Sequence, residues 1–331
     1  MTSRPATERT PARRMAAALL AIACLVAGSP AAAQSPSPEP RARQEPIKPI
    51  PAPRVEDPRR VSLGERLFQD QRLSHDNTRS CGSCHDILTN GASASARDLT
   101  LDGMPLPLDT LTVFNAALSF RLNWEGNFRL LERQAEGVVR NPAEMASSTD
   151  EVVSKLQADP ETVRRFRDAY GRGPNVTALL DAIAAYERTL LTPGSRFDRW
   201  LLGETAAISA EEFAGYQLFK SLGCISCHQG VNVGGNLFQR HGIFHPLGSP
   251  DPPLVRVPSL RNVATTPPYF HDGSAATLPE AVREMGIAQL DRVLTEQQIA
   301  AVVAFLNTLT GTYKGAPVTA AGGAQRPRVR Q

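Results

Sequence analysis

Cys81-Gly82-Ser83-Cys84-His85 and Cys224-Ile225-Ser226-Cys227-His228 decide how this chain is read. Each holds two thiols three positions apart followed at once by an imidazole, the pattern of c-type haem attachment. The thiols anchor a porphyrin covalently, and the adjacent histidine binds its iron. The two motifs use four of the chain's five cysteines. A zinc site would need further soft ligands, and only Cys24 remains, inside an apolar N-terminal run. A pair of redox dithiols would explain neither the repeat nor the histidines. Two covalently bound haem c groups are therefore expected, with His85 and His228 as proximal ligands. The sixth position on each iron then separates an electron carrier from an enzyme.

Outward from the motifs, the N-terminus reads as processing sequence. Arg13 and Arg14 precede an uncharged apolar run, Met15 to Val26, and Ala31-Ala32-Ala33 follows as a small-residue cleavage site. Residues 1–33 are expected to be a signal peptide, its apolar run short of the ~20 residues that span a bilayer. No stable membrane insertion is expected. Export joined to covalent haem points to a bacterial periplasm. Residues 34–57 are rich in Pro, Ser, Arg and Glu and read as a disordered linker. Residues 316–331 read as a disordered tail. A net charge of +3 with dispersed arginines gives no argument for a nucleic-acid partner.

The folded part is expected to be mostly α, as two cytochrome c-like haem domains over residues 58–205 and 206–315. Helical patterns cover Val61 to Gln69, Leu130 to Val139, Glu151 to Gln157 (with Thr149-Asp150 as its cap), Pro160 to Tyr170 and Val176 to Leu191. Ser209 is placed to cap a helix that runs into Cys224. A second closing helix spans Thr295 to Leu309. A helix leading into each CxxCH motif, and a helix closing each half, form a weak internal repeat. Residues 89–111 lack periodicity and read as a loop beside the first haem.

Candidates for the remaining roles are few. No histidine lies between His85 and His228. For the first haem, His75 reads as a loop residue, and Met104 either ligates iron or packs beside the porphyrin. Glu144 follows the Pro142 break, where it is either a general acid–base group or a solvated glutamate at a helix start. For the second haem the candidates are Met285, His271, His241 and His245. Trp124 either bridges two redox groups or belongs to the core.

Taken together, the motifs resemble the bacterial dihaem cytochrome c peroxidases and their MauG-like relatives. The resemblance runs from about Gly64 to Thr312. It is carried by LFxDxRLS before the first CxxCH, by TVFNAA, by Trp124-Glu125-Gly126, and by LLTPGSRFDRWLLG, PSLRNVATTPPYFHDG and TLPEAVREMG. It implies that the second haem accepts electrons with His228 and Met285 as ligands, where MauG-like proteins carry a tyrosine at the methionine position. It implies peroxide chemistry at the first haem, with Glu144 and Gln134 catalytic and Trp124 between the haems. Leu101 stands where many relatives place a distal histidine, so the first haem is expected to be open unless Met104 binds it. The resemblance further implies a calcium ion held by Asp109, Thr266 and Pro268, with His271 ordering a haem propionate or calcium-linked water. Two arginines usual near the first haem are replaced by Leu108 and Asn127. The expected reaction is reduction of hydrogen peroxide to water, with electrons from a small periplasmic cytochrome c or cupredoxin. The expected assembly is a homodimer. The alternatives are a MauG-like oxidase that modifies a partner protein and a non-enzymatic dihaem electron carrier.

Overall fold

In the computed structural model of the protein, which describes residues 44–93, 95 and 97–321, helices dominate. α1 (Pro58–Phe68) precedes the first CxxCH motif, and α5 (Val176–Glu187) closes the half that follows. The two helices meet at Gly64, where a Cβ would run into the Ala182 carbonyl. Only glycine lets these backbones come so close. α7 (Ala210–Ser221) and α9 (Glu296–Asn307) repeat the arrangement, since a Cβ at Gly215 would meet the Ala301 carbonyl. The repeat that is faint in sequence is therefore a repeated helix contact, one before each haem motif.

Between α1 and α5 lie α2 (Leu131–Arg140), α3 (Thr149–Gln157) and α4 (Pro160–Tyr170). α6 (Arg196–Leu201) leads into α7, and α8 (Leu278–Leu290) precedes α9. Ser209 caps α7 as expected, and Glu212 returns the bond to the Ser209 backbone. α3 differs: Ser148, not Thr149, accepts the Glu151 N–H, so the helix begins earlier. α5 stops at Glu187, short of Leu191. The strands are short pairs that sequence periodicity did not reveal. β1 (Phe238–Arg240) runs antiparallel to β2 (Leu254–Arg256), and β3 (Thr312–Tyr313) to β4 (Ala316–Pro317).

Each half has its own apolar core. Leu63, Leu67, Val152, Phe166, Leu179 and Ile183 form the first. The second is aromatic, with the Phe197 ring 4.7 Å from Tyr216 and Phe219 5.1 Å from Phe305. A buried polar seam joins the halves. Asn115 and Asn262 both donate to Thr192 Oγ1, at 2.8 and 3.0 Å, and Asn232 donates to the Asn115 carbonyl at 3.2 Å. Buried amides with partners of this kind fix one arrangement of the segments that carry them.

Two sequence expectations are corrected. The expected leader and residues 34–43 of the expected linker lie outside the described residues, but residues 44–57 are anchored. Ile47 is fully buried in the second core, and Ile50 is buried as well. Lys48 N–H donates to Gly230 O at 3.1 Å, and Gly230 N–H donates back to Pro46 O at 3.0 Å. Tyr216 OH donates to Glu45 at 2.6 Å, and Glu56 pairs with Arg188 at 2.9 Å. Burying two isoleucines contributes roughly 1.5–3 kcal/mol each, enough to seat a short Pro-rich strap. At the other end, β4 and buried Val318 extend order into the expected tail. No helix among the described residues is long and apolar enough to cross a membrane.

Candidate haem centres

The two CxxCH segments fold alike. In each, a single 3-10 turn starts at the first cysteine, at Cys81–Ser83 and Cys224–Ser226. The histidine N–H bonds the first cysteine's carbonyl at 3.0 Å in both motifs. All four thiols are unpaired, so each turn presents two free sulfurs and an imidazole on one short loop.

Both imidazoles are held in the orientation an axial ligand needs. His85 Nδ1–H donates to Gly91 O at 3.1 Å, and His228 Nδ1–H to Val233 O at 3.3 Å. A carbonyl can only accept, so each ring keeps its Nε2 lone pair free, as it is in metal-ligating histidines whose other nitrogen donates to a carbonyl. Burial lowers the pKa of both rings, His228 to about 4, which keeps them neutral and able to ligate.

His85 opens on a cavity of about 600 Å³. Its walls include Cys81, Cys84, Trp124, Gln134, Glu144 and Glu187. Gln134 projects from α2, and Glu144 from the turn after it. Burial raises the Glu144 carboxyl above the usual glutamate value, while a 2.9 Å bond from Asn141 Nδ2 opposes the rise. His228 faces a second, mainly apolar cavity whose walls include Phe219, Tyr269, Val282 and Met285. Met285, on α8, is the only soft donor besides Cys224 and His228 on that wall. A pair of free thiols, a neutral imidazole and a cavity together fit a haem in each half. His85 and His228 would hold the irons, and the four cysteines the porphyrins.

Trp124 lines both cavities, with its indole N–H donating to Asp109 O at 2.8 Å. Asp109, Thr266 and Pro268 all line the second cavity. Asp109 is a half-buried carboxyl pushed up to about 8, first by desolvation and further by Asp98 and Asp272. No group of three or more His, Cys, Asp or Glu side chains among the described residues could hold a metal, so a cation here would rely on carbonyls as well.

Other candidates lie elsewhere. Met104 is 62% exposed and is not on the first cavity's wall. Leu101 N–H bonds Ala143 O at 3.1 Å, which ties its loop to the segment carrying Glu144. His75 and His245 are exposed and bonded to Glu151 and Asp291. His271 is fully buried behind Trp124, 6.3 Å ring to ring, and its centroid lies 3.6 Å from that of His241. Neither His241 nor His271 lines a haem cavity. Sequence reasoning missed Glu187 and Arg256 on the first cavity's wall. Glu187 was visible only as part of an apolar helix face, and Arg256 belongs to the other half of the chain.

The family model for di-haem cytochrome c peroxidase matches residues 58–206, and that for cytochrome c matches 213–310. The chain is 39% identical to cytochrome c551 peroxidase of Nitrosomonas europaea, over 82% of this chain and 85% of that protein. It is 36% identical to cytochrome c551 peroxidase of Pseudomonas aeruginosa, over 75% of this chain and 78% of that one. The crystal structure of a MauG-like protein associated with microbial copper homeostasis superposes with a TM-score of 0.69 at 29% identity, covering 80% of this chain and 94% of the other. With two haem-attachment turns and these relatives, the chain belongs to the di-haem cytochrome c peroxidase family.

Proposed function

We propose that the protein is a cytochrome c peroxidase that reduces hydrogen peroxide to water with electrons from a small redox protein. The observation that carries this reading is the inequality of the cavities. The first joins His85 to a half-buried carboxyl and an amide, Glu144 and Gln134, with no soft donor beyond the motif's own except Met145. The second joins His228 to Met285 in apolar surroundings. Thioether ligation raises a haem's potential, which suits an electron-accepting centre.

The overall step is H₂O₂ + 2 e⁻ + 2 H⁺ → 2 H₂O. The haems, when bound, supply the redox chemistry and the electrons passed between them. The ionised Glu144 carboxylate takes the proton from one peroxide oxygen and returns it to the other, which leaves as water. The Gln134 amide orients that second oxygen. The Gly91 carbonyl keeps His85 in one tautomer and increases its basicity. Trp124, on both walls, lies on the route between the centres. Residues 58–205 would then be the peroxide-reacting half and 206–315 the electron-accepting half.

Supporting parts of the reading are a calcium ion on Asp109 with the Thr266 and Pro268 carbonyls, a periplasmic location, a cytochrome c or cupredoxin donor, and a homodimer. A hard cation beside the half-buried Asp109 carboxyl would remove the cost of ionising it. Chelation should lower the melting temperature and added Ca²⁺ restore it; an unchanged transition would remove the ion from the account.

Replacing Glu144 by Gln tests the central role. General acid–base groups contribute roughly 10²–10⁴-fold. Peroxide turnover should fall by that order with both haems still attached, and undiminished turnover would rule Glu144 out. A MauG-like oxidase is the second reading, favoured by Leu101 at the place of a distal histidine. It requires a protein substrate that peroxide and this enzyme together modify.

A further inference from the structure

Among the described residues two arginines are deeply buried, and they differ in one respect. Arg261 is fully buried and pairs with Asp198 at 2.8 Å, with further bonds from its guanidinium to Val231 O and Lys48 O. Arg256 is 6% exposed, and its guanidinium has one hydrogen bond, from Nε to Asn123 O at 3.1 Å. No carboxylate among the described residues lies within ion-pairing distance of it, and burial alone pushes its pKa down to about 10. A buried cation without an anion is costly, and folds do not keep one without a counter-charge.

Arg256 stands on β2, in the second half of the chain, yet it lines the first haem's cavity. Its backbone N–H donates to Trp124 O at 2.7 Å, which fixes it beside the wall that the two cavities share. The other arginines of that cavity are engaged. Arg79 donates to the Leu99 and Thr100 carbonyls, and Arg140, on the exposed side of α2, pairs with Glu136 at 2.9 Å. Among the described residues, the first cavity therefore has one deeply buried guanidinium with no carboxylate partner, delivered from the opposite half.

A c-type porphyrin is anchored by its former vinyl groups and carries two propionate carboxylates on the opposite edge. Such a carboxylate is the anion that a guanidinium fork binds best. We propose that Arg256 binds a propionate of the first porphyrin, so that the second half of the chain clamps the haem of the first beside Trp124. The clamp depends on a haem in the first cavity and not on peroxide turnover, so it stands or falls apart from the proposed reaction.

The test is a spectroelectrochemical titration of the full-length dihaem protein as wild type, Arg256→Lys and Arg256→Gln. A cation beside the first haem disfavours its oxidised form, so Arg256→Gln should lower that haem's midpoint. It should also add pH dependence, as the unpaired propionate titrates. The second haem's midpoint should stay in place, and Arg256→Lys should lie near wild type. An unchanged first-haem midpoint and pH profile in Arg256→Gln, or a shift confined to the second haem, would overturn the assignment. Resonance Raman of wild type needs no variant to fold. With excitation at the first haem, the propionate-bending band should lie at a hydrogen-bonded frequency, and a free-propionate frequency would overturn the clamp.

Discussion

Glu144 is poised by two opposing influences, burial that raises its pKa and the Asn141 amide that lowers it. In the proposed reaction it must be ionised to accept a peroxide proton, so turnover should fall as pH drops through a range above the usual glutamate value. Removing the amide with Asn141→Ala withdraws a bond to the charged form and should move that acid limb to higher pH. A limb that stays in place, followed in pH–rate profiles, would detach Asn141 from the chemistry. At this scale the sequence is most legible where chemistry forces a local pattern. Cys81, Cys84 and His85 can be read because one short turn must hold all three. Met104 could not be placed, because a lone methionine in an aperiodic loop carries no sign of which way it faces. Arg256 was invisible as a cavity residue because a tertiary backbone bond to Trp124, not sequence proximity, holds it there.

Among the elements, the Gly64 and Gly215 contacts define each half. A methyl at either site meets a backbone carbonyl that cannot turn away. Gly64→Ala and Gly215→Ala should each destabilise by roughly 1–3 kcal/mol, the usual cost of overpacking. Urea titration with both haems bound reads this directly, and a neutral result would mean the helices can part without loss. Most helices were visible because their apolar residues recur at three and four spacing and their caps are Ser, Thr, Asn or Asp. The strap at 44–57 was not, because composition averages over the segment. Two buried isoleucines decide its fate against many Pro, Arg and Glu neighbours. The three-residue strands β1 and β2 are too short to show an alternation.

At the scale of the molecule, similar local motifs produce unequal centres. The attachment turns, histidine orientations and helix contacts repeat, while the cavity walls do not: Glu144 and Gln134 face the first, Met285 the second. Trp124 and the Asn115–Thr192–Asn262 seam hold the two against one another. That inequality, more than the presence of two haems, makes the chain an enzyme rather than a carrier in this account. Low-temperature EPR of the as-isolated diferric protein, before and after peroxide, tests it most directly. The account predicts one low-spin signal from the His228–Met285 centre and one high-spin signal from an open first haem, with the high-spin signal consumed by peroxide. Two low-spin signals, both untouched by peroxide in the diferric and the half-reduced protein, would contradict it.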